Sequence, residues 1–322
     1  MKYPTTSAHG IMFHHLHGGQ HQSVQGSISQ EDLEAILQFV GVQRFLTPMQ
    51  WLEKLDSDRL DPEDLCLTFD DGLLCQFDIA LPLLEKYRLN AFWFVYSGVF
   101  EGQVQLGKLE IYRAFRCQYF PTIDDFYTVF FGRVFDAGFG ETTSEVVTEA
   151  RIRQMISVFP FYSVNDVRFR LVRDLILGRR EYELIMDGLI HDRGPSLNEL
   201  AKGLWMSDEH LKYLTDQGHV VGLHSYSHPT ALADLPYAEQ REEYQKNYQH
   251  ILRVCGRPPV AVAHPTNSYN QETIEILAGL GIRFGFRSNM AAANAIGQSN
   301  PNPYEMARED NANIQRMVGA SK

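Results

Sequence analysis

Only four cysteines occur in the 322-residue chain (Cys66, Cys75, Cys117 and Cys255). Their spacing fits neither a disulfide framework nor a zinc finger, so they read as reduced thiols. No block of Lys and Arg interrupts a net charge of −11, which argues against a nucleic-acid partner. No apolar run approaches the roughly 20 residues needed to span a bilayer. The segment from Met1 to Gly10 is polar and lacks the apolar core of a signal peptide. Together these absences lead us to expect a cytoplasmic protein. Repeats and low-complexity tracts are missing as well. What remains is an ordinary globular composition, 44% hydrophobic and 21% charged, in a length that suits one large α/β domain or two smaller ones.

One stretch carries concentrated chemistry. The apolar run Leu65-Cys66-Leu67-Thr68-Phe69 ends in Asp70-Asp71-Gly72. Successive side chains of a strand point to opposite faces, so two adjacent carboxylates share a site only where the strand breaks. Gly72 is a suitable break. Such a pair can divide labour, one carboxylate holding a cation and the other taking a proton. A solvated turn at a strand end accounts for the same residues.

Two further stretches have the same placement. The apolar Ile11-Met12-Phe13 runs into His14-His15-Leu16-His17, with His21 close behind, and Val220-Val221-Gly222-Leu223 delivers His224-Ser225-Tyr226-Ser227-His228. Histidines four apart on one face of a helical turn have metal-ligand spacing. Surface pairs of histidines also arise by chance, but here three such features converge on strand ends.

Between these strands the pattern alternates with helices. Ser29 and Asp32 read as a capping box before the stripe Leu33, Ile36, Leu37 and Val40, and Gly41 stops that helix. Arg44-Phe45-Leu46 reads as a short strand. Thr47-Pro48 opens the next helix, Phe77, Leu81 and Leu84 mark another, and Ala91 to Tyr96 is an aromatic strand. Further on, Ser207 caps a short helix and Pro236 opens a long one. Val260 to Ala263 reads as a strand ending at His264-Pro265-Thr266-Asn267. Asn270 caps a helix, Arg283 to Phe286 is one more strand, and Ala291 to Pro303 reads as a loop before Tyr304 to Met317. Strand–helix alternation indicates a parallel α/β architecture whose active site gathers at the C-terminal strand ends.

From 102 to 203 the alternation fades into helical, aromatic-rich sequence, including Phe126 to Phe131 and Phe159-Pro160-Phe161-Tyr162. We read residues 1–322 as a single barrel domain and 102–203 as a largely helical insertion within it. The insertion is either a lid offering aromatic faces to a ligand or extra core.

The motifs resemble the polysaccharide deacetylases of the NodB-homology type, the fourth family of carbohydrate esterases. The family's TFDDG stands at Thr68 to Gly72, and its H-S/T-x-x-H stands at His224 to His228 after Gly218-His-Val-Val-Gly222. Ala80 to Lys86 and Phe92 to Val95 are similar to the helix and strand that follow the first motif. The third motif corresponds to Ala263-His264-Pro265-Thr266-Asn267. The likeness covers roughly residues 8 to 100 and 205 to 310.

The resemblance implies an incomplete (β/α)7-type barrel with one divalent metal, usually zinc, on Asp71, His224 and His228, and Asp70 as catalytic base. Three protein ligands leave an open position, as a catalytic zinc site needs. Cobalt, nickel or iron would accept the same donors. The developing oxyanion would lean on the metal and on the Thr266 backbone N–H. Two departures from the family pattern matter. Ala263 replaces the usual third-motif arginine, which makes Arg308 the candidate for orienting Asp70. No histidine follows His264, so the family's late acid histidine is missing. Phe13-His14 matches the Tyr-His pair that supplies the acid in some members, making His14 the candidate, with His15 and His17 as alternatives and His264 more in keeping with a pocket wall.

The implied activity is removal of an N-acetyl group from an amino sugar. Without an export signal, the expected substrate is small, nucleotide-linked or carrier-linked, in surface-glycan synthesis. Two alternatives use the same scaffold. One is a deformylase or ureide amidohydrolase. The other is a catalytically silent carbohydrate-binding protein, which would have no need of Asp70. No feature of the sequence bears on oligomeric state.

Overall fold

A computed structural model describes residues 3–158, 162–293 and 297–320. The chain forms two compact units, one from Met1–Gly107 with Gly203–Lys322 and the other Lys108–Lys202.

The first unit is built on seven parallel strands: β1 (His9–Phe13), β2 (Leu65–Phe69), β3 (Ala91–Val95), β4 (Val220–Leu223), β5 (Ala261–Ala263), β6 (Phe284–Phe286) and β7 (Arg308–Asp310). Their order is β6-β5-β4-β3-β2-β1-β7. An isolated parallel bridge joins Phe286 to Met306, just before β7, so the sheet curls into a nearly closed barrel with an unsealed seam. This is the incomplete (β/α)7 barrel expected from the resemblance. Every residue of β1, β2 and β3 is buried, because helices cover the outer face of a parallel sheet and side chains fill the inner one. That is why these strands read as continuous apolar runs. Gly222 lies where strands approach closely, and a Cβ there would come within 2.8 Å of the Ala261 carbonyl oxygen.

Local signals fix the helix starts. Ser29 and Asp32 close a capping box on helix Gln30–Val40, which buries Leu33, Ile36, Leu37 and Val40. Thr47 and Gln50 do the same for Pro48–Asp56, and Asn270 with Thr273 for Gln271–Gly279. The helix expected around Phe77 opens with a π-turn at Gln76–Ala80 before Leu81–Tyr87.

Arg44-Phe45-Leu46 is not a strand. Val42–Arg44 is a 3₁₀ turn, and only Phe45 bridges Leu65. Arg44 is held there by its own side chain, which donates to the carbonyls of Tyr3 and Val40 at 3.1 Å each. The seventh strand is instead Arg308–Asp310, inside the Tyr304–Met317 segment to which sequence assigns no element. Its three residues are too few to show a period. Of the Ala291–Pro303 stretch, 294–296 lie outside the described residues.

One buried ring makes this unit acid-sensitive. His219 accepts the Ala91 N–H on Nδ1 at 3.0 Å, and burial pushes its imidazole down to about 4. The unfolded chain, with an imidazole near 6.5, therefore takes up the proton first as pH falls. The ring's contribution is complete above about pH 6.5 and is lost between there and about pH 4, on the order of 3 kcal/mol. His219→Asn keeps an acceptor near Nδ1 without a titrating ring. Urea melts between pH 7 and 4 are expected to show a shallower acid limb for it than for wild type.

The second unit is helical. Its main helices are Lys108–Gln118, Ile123–Val134, Glu149–Val158, Val164–Leu171 and Gly178–Arg193. It begins later than the 102 read from sequence because the chain there turns back on the barrel unit, Gly102 N–H donating to the Val99 carbonyl at 3.2 Å and Gln103 N–H to that of Gly98 at 3.1 Å. Leu73 bridges Trp205, Leu74 N–H donates to the Leu204 carbonyl, and Met206 N–H donates to that of Gly72. Phe126, Tyr127 and Phe130 are buried at 0–1% exposure, and their rings pack against Phe169 at 4.9–5.7 Å. These three rings are core, so they offer no face to a ligand. Phe159, Pro160 and Phe161 lie outside the described residues.

Candidate metal centre and acid–base site

Three segments at the C-terminal ends of the strands depart from ordinary backbone together. Asp71, Ser225, His228, Thr266 and Asn267 all have positive φ (76°, 64°, 53°, 50° and 61°), as does Gly72 at 64°. Left-handed backbone at non-glycine residues costs about 1–3 kcal/mol each and gathers where function constrains the chain. The turn begins at Asp71 itself, one residue before Gly72, and this lets Asp70 and Asp71 serve one site.

Asp71, His224 and His228 bring one ligand atom each within 4.8 Å of one another. Asp71 Oδ1 lies 3.5 Å from His224 Nε2 and 3.6 Å from His228 Nε2. Donors about 2.0–2.2 Å from a tetrahedral ion sit roughly 3.3–3.6 Å apart, so the spacing fits a divalent metal. The tautomer fits too. His224 Nδ1–H donates to the Ala263 carbonyl at 2.8 Å, leaving a bare Nε2 toward Asp71. Burial pushes the Asp71 carboxyl up, but the His224 and His228 rings outweigh it and hold the group well below the usual carboxylate range.

The histidine pair does not sit on a helical turn. Residues 224–228 form a loop, with Ser225 and His228 left-handed. The Glu243 carboxylate holds that loop, accepting from Tyr226 N–H (3.0 Å), Ser227 N–H (2.8 Å) and the Ser227 hydroxyl (2.7 Å). Such anchors on successive N–H groups explain a conformation that an isolated peptide would not keep.

Asp70 is 2% exposed and receives a bidentate pair from Arg308, NH1 to Oδ1 at 2.7 Å and NH2 to Oδ2 at 2.8 Å. Arg308 is 1% exposed, and its Nε donates to the Arg287 carbonyl at 2.7 Å. Burial pushes the Asp70 carboxyl up, yet the Arg308 guanidinium and the His224 ring overcome it, so the group lies below its ordinary value. The cation missing at Ala263 is thus supplied from β7. His14 Nε2 stands 3.8 Å from Asp70 Oδ2, with the ring about a third exposed. His17 is engaged elsewhere, its Nδ1 2.9 Å from the Ser27 hydroxyl. His15 is buried.

Thr266 is at the end of β5 on a 3₁₀ turn, and its hydroxyl donates to the Thr230 carbonyl at 2.7 Å. Among the described residues no hydrogen bond takes up its backbone N–H. His264 is buried, donates from Nε2 to the Tyr304 carbonyl at 2.8 Å, and stacks on Tyr269. Burial pushes it down to about 4, so at neutral pH it is a neutral wall of the site.

Three supports escape a reading of the sequence. Asn247 accepts the His224 N–H (3.0 Å) and donates to the Val95 carbonyl (3.0 Å). Gln76, in the π-turn, donates to the carbonyls of His14 (2.8 Å) and Asp70 (2.6 Å). Glu243 holds the histidine loop as described. All three reach the site from helices through tertiary packing, and nothing in their sequence neighbourhood marks them.

The fold is an incomplete parallel barrel with a donor set at its C-terminal strand ends that could hold a metal ion. A family model described as Polysaccharide deacetylase matches residues 196–285, a span that holds both histidines and the third motif. A deacetylase from Streptococcus pyogenes, PplD, in complex with acetate, has the same fold. Its TM-score is 0.55 at 15% identity, covering 98% of this chain and 99% of its own. IcaB from Ammonifex degensii gives 0.53 at 16% identity, covering 99% and 97%. A de-N-acetylase from Aggregatibacter actinomycetemcomitans gives 0.55 at 10%, covering 97% and 100%. A search of curated proteins by sequence finds no match. The chain is thus similar in sequence to the polysaccharide deacetylases over residues 196–285, and these structures share its fold. No helix among the described residues is long and apolar enough to cross a membrane.

Proposed function

We propose that this protein hydrolyses the N-acetyl group of an amino sugar, using a divalent metal on Asp71, His224 and His228. Zinc suits the donors best, with cobalt, nickel or iron accepted. The observation that carries the reading is the Asp70–Arg308 pair beside the three-ligand cluster, since a carboxylate kept ionised in a buried site is a base in waiting. A metal at this position supplies Lewis-acid charge beside the scissile amide and acidifies water there.

The chain's own groups do the rest. Asp70 takes the proton of the attacking water, and Arg308 fixes its orientation. The Thr266 N–H donates to the oxygen that gains charge as the carbonyl carbon becomes tetrahedral. His14 gives a proton to the departing nitrogen as the C–N bond breaks, leaving a free amine and acetate. His14→Gln is expected to lower kcat about 100-fold with bound metal unchanged, while His17→Gln stays within about twofold of wild type. Equal losses in both variants would remove His14 from the role.

For the substrate we propose a small amino sugar, nucleotide- or carrier-linked, met in the cytoplasm during surface-glycan synthesis. Acetate release is the test, measured in parallel on nucleotide-linked N-acetylhexosamines and on N-acetylglucosamine oligomers. Turnover of the first set is expected. Turnover confined to the oligomers would overturn the substrate class and keep the reaction.

A further inference from the structure

The helical unit 108–202 carries a second concentration of unusual groups. Helix Lys108–Gln118 presents Arg113 and Arg116 three residues apart, and Arg170 and Arg173 repeat that spacing farther along the unit, so each pair shares a helix face. The two pairs meet around one ring. The guanidinium carbons of Arg116 and Arg173 lie 5.0 and 5.7 Å from the centre of Phe169. Arg116 is also 5.6 Å from the Phe126 ring, and Arg170 sits 4.1 Å over Tyr162.

Carboxylates neutralise only two of the four. Arg113 pairs with Glu110 at 3.5 Å, and Arg173 binds Asp174 at 2.5 and 2.8 Å. Asp166, the other acid nearby, accepts from the Tyr127 hydroxyl and from Ser163 N–H. Among the described residues, Arg116 and Arg170 form no ion pair. Arg116 is only 9% exposed and its Nε is buried without a hydrogen-bond partner. A buried guanidinium without an acceptor is costly, and aromatic faces replace only part of the lost hydration. Burial pushes the Arg170 guanidinium down, and the charges of Arg173, Arg113 and Arg116 add to that effect, as expected if all four face one another. A protein of net charge −11 thus concentrates unneutralised positive charge in one place.

We propose that Arg113, Arg116, Arg170 and Arg173 form a binding site for a phosphate-class dianion, either a phosphate ester or free phosphate. The two guanidinium groups left without carboxylates match a charge of −2, and planar N–H forks suit tetrahedral oxyanions. The site is distinct from the metal centre, so its fate does not bear on the deacetylase reading.

The test uses the full metal-loaded chain at constant ionic strength, titrated with inorganic phosphate against a chloride control and read by calorimetry and thermal melting. Phosphate is expected to bind and to raise the melting temperature of wild type. Arg170→Gln is expected to weaken binding at least about tenfold, while its phosphate-free melting temperature holds or rises because like-charge repulsion is relieved. Arg116→Met is the second variant, and should it fail to fold, Arg170→Gln still reads the site. Tighter Arg170-dependent binding of phenyl phosphate, which carries no amino sugar for the metal centre, than of inorganic phosphate assigns the ester, and equal or weaker binding assigns the free anion. No response beyond chloride in wild type, or the same phosphate response in Arg170→Gln, would overturn the proposal.

Discussion

Asp70→Asn is expected to reduce acetate release by about 10²–10⁴-fold with the metal content unchanged. Asn has nearly the same shape, so the loss would come from a proton acceptor and not from a collapsed pocket. Asp70 is not one of the three clustered ligands, which is why metal content and activity separate in this variant. A lower melting temperature should accompany it, because Arg308 is 1% exposed and donates two bonds to Asp70, of which the Asn amide oxygen could accept only one and no charge remains opposite the guanidinium. Breaking such a buried pair typically costs about 3–5 kcal/mol. The assay therefore belongs well below the variant's melting temperature, with metal measured on the same sample. Metal lost along with activity would make Asp70 a ligand and not a base.

Arg308→Met tests the same pair from the other side and should have the larger effect on folding. It removes the only bidentate partner of Asp70 seen among the described residues. The carboxylate is then left buried without its guanidinium, with an expected loss of about 3–5 kcal/mol in urea melts at pH 7. Arg308 is a leading influence holding the Asp70 carboxyl below its usual range against burial. Without it burial weighs more, and the carboxyl moves up. The acid limb of kcat/KM should accordingly shift to higher pH, since the base becomes ionised later as pH rises. Arg308→Lys should recover part of the stability and less of the activity, because a point charge cannot reproduce two parallel N–H bonds. A pH profile unmoved in Arg308→Met would assign the arginine to packing alone.

The sequence exposed the parts of this site that are local. Asp70-Asp71-Gly72 and His224 to His228 are short runs directly after strands, and the strands themselves were visible as unbroken apolar segments. Arg308 was legible only by inference, from the missing cation at Ala263, because 238 residues separate it from Asp70. The three-residue strand that carries it has no period to read. The helical turn expected for His224–His228 failed for a physical reason. Glu243 binds the Tyr226 and Ser227 N–H groups from a helix fifteen or more residues away, and that tertiary contact sets the loop. Asn247 and Gln76 belong to the same class of residue, polar groups whose role exists only once the helices have packed. The aromatic insertion was misleading in the opposite sense, since Phe126, Tyr127 and Phe130 serve their own unit's core.

The measurement that bears most directly on the central claim is a metal titration of chelator-stripped protein, following bound zinc and acetate release together. The account predicts one zinc per chain of wild type, activity rising in step with it, and loss of both in His228→Ala. Full activity in the stripped protein, or full zinc binding by His228→Ala, would contradict the assignment of Asp71, His224 and His228 as the metal site.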